Sequence, residues 1–281
     1  MSLTLRVVHS TGYSYRGGAS SSYNEARMTP MNTSDQQVLH SRVEVSPSAW
    51  THTFTDYWGT AVTAFELHER HEHLRLVSTS EVIIDHRPVT WDNVGWDAFT
   101  RPEVVSEHAE YLNLGRLVTP ADELASMAAD LRAAAARPSD FVLLARDLVV
   151  SRVTYLPGVT DVHSSARDAW ATGAGVCQDL THVLIGALRS GGVPARYVSG
   201  YLMPDTEQAA GESSSGQSHA WLEYWDGGWR GLDPTNEGTV GDDHIVVGRG
   251  RDYADVSPLR GLFVGGETCD MFVEVTLTRL R

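Results

Sequence analysis

Gly175-Val176-Cys177-Gln178-Asp179-Leu180 decides how the chain is read. The small-residue run Thr172-Gly173-Ala174-Gly175 leads into it, and after it Leu180, Val183, Leu184, Ala187 and Leu188 recur at helical spacing. The pattern predicts an amphipathic helix that starts at the cysteine, buries one stripe and stops at Gly191-Gly192. A thiol in a helix's first turn meets unsatisfied backbone N–H groups and the positive end of the dipole, which favour a negative sulfur. Asp179, in the same turn, reads as a local hydrogen-bonding residue. Ser218-His219-Ala220-Trp221 and Gly231-Leu232-Asp233-Pro234 follow, so thiol, imidazole and carboxylate stand in an order suited to a Cys-His-Asp nucleophilic triad.

One turn decides whether His219 and Asp233 share a sheet face. Strands over 219–225 and 229–232 flank Asp226-Gly227-Gly228. A three-residue loop pairs Trp225 with Trp229 and makes His219 the diagonal neighbour of Asp233, about 7 Å between backbones. A two-residue Gly-Gly turn would send them to opposite faces. Trp221 and Trp225 share the histidine's face, as a wall of the site or as core.

Outward from this centre, residues 1–87 read as a β-rich N-terminal domain. Apolar alternation recurs over 3–15, 38–45, 51–55, 62–67 and 74–84, with a turn at Tyr57-Trp58-Gly59-Thr60. Residues 88–118 form a connecting segment rich in Asp, Asn, Pro and aromatics, and 119–281 form the core. There Thr119-Pro120-Ala121-Asp122 opens a helix to about 136, and Ser139-Asp140 caps another to about 150. A short helix over 165–170 precedes the cysteine helix. Residues 193–202 make a strand, the polar stretch 204–217 an exposed loop that could lid the site, and 271–280 a closing strand. Helices packed on an antiparallel sheet make this an α+β chain.

Composition excludes several classes. A net charge of −14 over 281 residues argues against nucleic-acid partners and a polybasic membrane anchor. No apolar run approaches the ~18 residues of a membrane span. No basic-then-apolar leader precedes 3–8, which reads as a strand. The two cysteines, Cys177 and Cys269, form no zinc pattern and read as free thiols, hence a cytoplasmic protein. His68, His71 and His73 with Glu69 and Glu72 lack H-E-x-x-H spacing and read as a solvated hairpin tip. The run from Gly211 to Gly216 is not a G-x-S-x-G elbow. No metal and no cofactor is expected.

Four motifs in order carry a resemblance: 175–179, Gly192-Val193-Pro194-Ala195-Arg196-Tyr197-Val198-Ser199-Gly200-Tyr201, 218–221 and 231–236. Together they resemble the bacterial transglutaminase-like superfamily. Tyr23-Asn24-Glu25-Ala26-Arg27-Met28-Thr29-Pro30 and Asp56-Tyr57-Trp58-Gly59 are similar to the β domain that accompanies that core, and 250–258 matches its tail. The resemblance implies a papain-like α+β fold with Cys177 as nucleophile, His219 as base and Asp233 as orienter. Tyr155 and Gln178 are candidate side-chain donors to an oxyanion, and Trp221 and Tyr253 candidate substrate contacts. The expected reaction is thiol-dependent hydrolysis of a peptide or amide substrate through a thioester. Protein-glutamine acyl transfer to an amine, and a non-catalytic scaffold keeping the fold, are the alternatives. Arylamine N-acetyltransferases share the triad order, yet the sequences around Cys177 and Asp233 do not suit them. Exposed strand edges in the first domain would suit a homodimer.

Overall fold

The computed structural model describes residues 2–86, 94–205, 207–236 and 240–281, with the backbone alone at Cys269. The N-terminal part supplies β1 (Leu3–Ala19), β2 (Ser21–Ala26), β3 (Gln36–Ser46), β4 (Thr51–Thr55), β5 (Ala61–Leu67) and β6 (His71–Ile84). Short helical turns, among them α1 (Pro102–Glu107), lead to α2 (Asp122–Ala134) and α3 (Pro138–Arg152). Then come β7 (Thr154–Tyr155), α4 (Ala166–Thr172), β8 (Ala174–Gly175), α5 (Cys177–Ser190) and β9 (Ala195–Leu202). The chain closes with β10 (Ser213–Trp225), β11 (Trp229–Leu232), β12 (His244–Gly250), α6 (Tyr253–Val256), β13 (Leu259–Val264) and β14 (Glu267–Arg279).

The main sheet runs β12-β9-β10-β14-β1-β6-β3, with β11 paired to β10. It is antiparallel and unbroken between the two ends of the sequence, because β1 is in register with β14 from Leu5↔Arg279 to Arg16↔Glu267. Leu3, Leu5 and Val7, alternating along β1, bury one face against Tyr201, Ile245, Val275 and Leu277. A smaller sheet, β13-β2-β5-β4, packs Ala26, Phe65 and Leu67 against Tyr15, Leu74 and Leu76 of the first.

A change of partner in β10 shapes the cleft. Ser213 to Gly216 pair with β14, the last match being Gly216↔Val275, and from Gln217↔Leu202 onward the strand pairs with β9. A side chain on Gly216 would meet Leu277 Cδ1 at 2.7 Å, so glycine lets the two strands part this closely packed.

α5 begins at Cys177, as the periodicity predicts, but it is buried on all sides rather than along one stripe. Its neighbours are α2, α3 and α4 on one side and β9 and β10 on the other. The polar residues forced inside find partners. Thr181 Oγ1 donates to Ala220 O (3.3 Å), and the Arg189 guanidinium donates to the carbonyls of Asn113 (2.7 Å), Ala195 (2.8 Å) and Arg251 (2.7 Å).

Other local expectations need correction. Thr119 does not cap α2; its hydroxyl donates to Gly115 O (2.8 Å), and the cap residue is Ala121. α3 starts at Pro138, with Arg137 as its cap residue. Ser213–Gln217, read as part of an exposed loop, is strand, because β14 pairs with Ser213 to Gly216 and β9 with Gln217, supplying the partners its polar sequence does not advertise. β2, β12 and β13 escaped the pattern: the first is polar, and the other two are broken by glycine. His71 is not at a solvated tip; it is buried, edge-on to Tyr15 at 5.4 Å, while His68 and His73 are exposed.

Glu223 sits buried between Arg196 (Nε to Oε2, 2.6 Å) and Arg249 (Nη2 to Oε1, 2.8 Å). Removing the carboxylate leaves two desolvated guanidinium groups, so Glu223→Ala is expected to lower unfolding stability by about 3–5 kcal/mol. The exposed Glu69→Ala should change it by less than about 0.5 kcal/mol, both read from urea unfolding midpoints.

Candidate active site

Cys177 is placed by the start of α5. The parallel pairing of β7 with β8 sets Tyr155 beside Gly175, and Val176 then turns, extended, into the helix. Val176 N–H donates to Asp179 Oδ2 (2.8 Å), as does Thr160 Oγ1 (2.6 Å), so Asp179 is the local tie its position predicts. A Cβ on Gly175 would fall 2.5 Å from that of Asp179, which is why the residue before the turn is small. Cys177 is a free thiol, and its N–H belongs to the helix's unsatisfied first turn.

His219 and Asp233 meet because the hairpin has the three-residue loop: Trp225 pairs with Trp229 and Leu222 with Leu232. His219 Nε2 donates to Asp233 Oδ2 at 2.7 Å. Cys177 acts on His219 too, raising its pKa, and with Nε2 taken by Asp233 the other ring nitrogen is left for the sulfur. Thiol, imidazole and carboxylate therefore stand in line, with a hydrogen bond joining the last two.

Asp233 has no exposed surface, and its carboxylate is surrounded by donors. Oδ1 accepts from Thr235 N (2.8 Å) and Asn236 N (3.3 Å). Oδ2 accepts from His219, from Asn236 Nδ2 (3.1 Å) and from His244 Nε2 (3.2 Å). His244, buried on β12, is held at its other nitrogen by Asp243 Oδ1 (2.6 Å). With a carboxylate at each ring nitrogen, His244 is raised above the ordinary histidine pKa despite its burial. Burial pulls His219 toward the neutral form, but the bond to Asp233 and the hydrogen bond and charge of Cys177 outweigh it and push its pKa up to about 9. Burial opposes the charge on Asp233 as well, yet the two imidazoles hold its carboxyl well below the usual range.

The line opens onto a cleft of about 320 Å³ between α5 and the main sheet. Tyr155, Gln178 and Tyr253 all line it beside Cys177 and His219. Gln178 Nε2 is tied to Val162 O (3.4 Å), and burial and the charge of Cys177 raise the Tyr155 hydroxyl. Trp221 is not among the lining residues. It stacks behind His219 (ring centroids 6.0 Å apart, 26° between planes) and meets His244 edge-on at 5.0 Å. It wedges the two imidazoles in place.

Sequence reading missed several contributors. His9, Thr11 and Tyr13 of β1 and Met271 and Val273 of β14 form the cleft's other wall, brought there by long-range pairing. His9 is buried, with Nδ1 3.0 Å from Tyr201 Oη and, among the described residues, no partner for Nε2; burial lowers its pKa to about 4. His182, fully buried on α5, accepts from Tyr253 N–H (3.2 Å) and so fixes that tyrosine at the rim. The helical period of α5 places His182 opposite the apolar stripe, so its burial is a tertiary outcome, and His9 and His244 carry no local mark of the site either. Among the described residues, His219, Asp233 and His244 alone bring three metal-ligand atoms within 4.8 Å of one another. Both imidazoles there already donate to Asp233 Oδ2, so hydrogen bonds balance the carboxylate charge.

Residues 5–83 match the bacterial transglutaminase-like N-terminal region, and 125–234 match the transglutaminase-like superfamily. An uncharacterised protein of Mycobacterium leprae is 40% identical over 276 residues, covering 98% of this chain and 99% of its own. A protein-glutamine gamma-glutamyltransferase of Pseudomonas aeruginosa is 28% identical over 179 residues, 59% of this chain and 27% of that one. The crystal structure of a candidate cysteine protease from Cytophaga hutchinsonii superposes with a TM-score of 0.78 at 22% identity, over 100% of this chain and 92% of that one. That likeness is one of fold.

His219, raised above the ordinary value of 6.5, adds stability that is fully present below about pH 6.5 and lost as pH rises through about 9. Asp233, held down, adds stability above its ordinary 3.8 that is lost on acidification. Histidine NMR should place the His219 titration near 9, and Asp233→Asn should bring it down by ~2 units. A titration that ignores Asp233→Asn would refute the assigned pairing.

Proposed function

Because the chain belongs to the transglutaminase-like superfamily, we propose that it is a cysteine hydrolase that cleaves an amide or peptide bond through a thioester. The placement of Cys177 and His219 on one cleft, with His219 hydrogen-bonded to the buried Asp233, carries this reading. The Cys177 thiolate attacks the carbonyl carbon, and the oxyanion is met by the N–H of Cys177 at the head of α5, with Gln178 and Tyr155 alongside. The protonated His219 gives its proton to the departing amine, leaving a thioester on the sulfur. His219, now neutral, takes a proton from a water that attacks the thioester, and collapse of the adduct releases the acid and restores the thiolate beside protonated His219. Asp233 keeps the imidazole oriented and balances its charge throughout.

The Pseudomonas relative's name favours a second reading, in which an amine replaces the water and the acyl group is transferred. Water is the default acceptor because a transferase must exclude it, and no lining residue marks an amine site.

Chloroacetamide should alkylate Cys177 at neutral pH at least ~10-fold faster in the wild type than in His219→Ala, with mass spectrometry locating the label. Fluorogenic amide and peptide libraries should then be turned over. Cys177→Ala should abolish the turnover, and Asp233→Ala should reduce it by ~10²–10⁴-fold. Incorporation of ¹⁸O from labelled water into the acid product identifies hydrolysis, whereas products carrying added methylamine identify transfer. Alkylation indifferent to His219 would leave the scaffold reading in front.

A further inference from the structure

β14 has an open edge where it borders the cleft. It pairs with β1 over its length, but with β10 only from Val275↔Gly216 to Thr278↔Ser213. Beyond Gly216, β10 pairs with β9 instead, and among the described residues no strand pairs with that side of β14 over 267–274.

Backbone parity identifies the groups facing the gap. Leu280 N–H donates to Thr4 O on the β1 side (2.8 Å), whereas Arg279 N–H donates to Glu212 O (3.2 Å) and Arg279 O accepts from Gly211 N–H (2.8 Å) on the other. Direction alternates residue by residue along an antiparallel strand, and the register with β1 is continuous from Arg279 to Met271. Val273 and Met271 therefore turn N–H and C=O to the open side, as Arg279 does. Their side chains line the cleft that holds Cys177 and His219. Cross-strand, Thr11 pairs with Val273 and Tyr13 with Met271, and these four side chains form one mostly apolar floor.

We propose that the substrate is an extended polypeptide segment that adds to β14 as a further strand. It pairs with Met271 and Val273, fills the gap that β10 leaves, and carries the bond to be cleaved to Cys177. The inference deepens the hydrolase reading and rests on it. Continuity of the open edge with the thiol's own cleft selects this occupant: any chain reaching Cys177 along the floor runs beside unpaired N–H and C=O groups. Main-chain pairing supplies affinity tolerant of sequence, and alternate side chains meet Tyr13, Met271 and Val273.

The test uses the full chain in a Cys269→Ser background, with mixed-sequence nonapeptides whose central cysteine is activated as a mixed disulfide with 2-nitro-5-thiobenzoate. The Cys177 thiolate attacks the peptide sulfur and forms a new disulfide. The old one breaks and nitrothiobenzoate leaves as a coloured thiolate. The nonapeptides should react at least ~10-fold faster than the N-acetylcysteine amide derivative activated in the same way, the equivalent of one or two hydrogen bonds. Val273→Pro removes a donor from the open edge and none from the β1 side, so it should erase that advantage, bringing the nonapeptide rate to that of the small reagent measured on the same variant. Peptides N-methylated at alternate backbone amides test the same bonds on unaltered protein and should lose the advantage too. In the conjugate, the Met271 and Val273 amides should gain hydrogen-exchange protection. Nonapeptides no faster than the small reagent, or a rate untouched by both changes, would overturn strand addition. A small-reagent rate indifferent to His219→Ala overturns the catalytic reading alone, and exchange protection in the conjugate then decides strand addition by itself.

Discussion

A carboxylate without solvent must be surrounded by donors, and Asp233 is such a group. Its two oxygens take five hydrogen bonds, from two imidazoles, one side-chain amide and two backbone N–H groups. That requirement reaches into the fold. The β10–β11 hairpin must hold its three-residue loop, or the carboxylate would face away from His219. β12 must lie beyond β9 to present His244. Trp221 must pass beneath both rings, which a glycine at position 200 permits, since a Cβ there would meet the indole at 2.5 Å. The charge of one buried group thus ties together hairpin register, sheet order and a packing gap.

The same pairing sets the chemistry. His219, with Asp233 on one nitrogen, is held in its protonated form well above the ordinary histidine range. His244, clamped by Asp243, shares Asp233 without facing the cleft. It makes the carboxylate a fixed point rather than a side chain free to follow His219.

The N-terminal strands help to build the cleft. β1 is the neighbour of β14 in the main sheet, and its His9, Thr11 and Tyr13 face Cys177 across the cleft. α5, which begins at Cys177, rests against β9 and β10, while the opposite wall comes from the two ends of the sequence. The cleft exists because β10 leaves β14 at Gly216 and follows β9.

What the sequence by itself determined is what short-range periodicity and turn chemistry encode. The helix start at Cys177 follows from a small-residue turn and a 3.6-residue apolar repeat. The union of His219 with Asp233 follows from the parity of a hairpin with three loop residues, and the β1, β4 and β6 strands follow from alternation. Only the tertiary structure decided the rest: the complete burial of α5, the arrival of His244 behind Asp233, the cleft wall built by β1 and β14, and the departure of β10. Each depends on pairing between segments far apart in the chain. A polar strand such as 213–216 reads as loop until β14 satisfies its backbone, and a lone histidine carries no mark of the carboxylate it will meet. Local patterns specify which face an element buries; the energy of enclosing a charge and closing a sheet selects its neighbour.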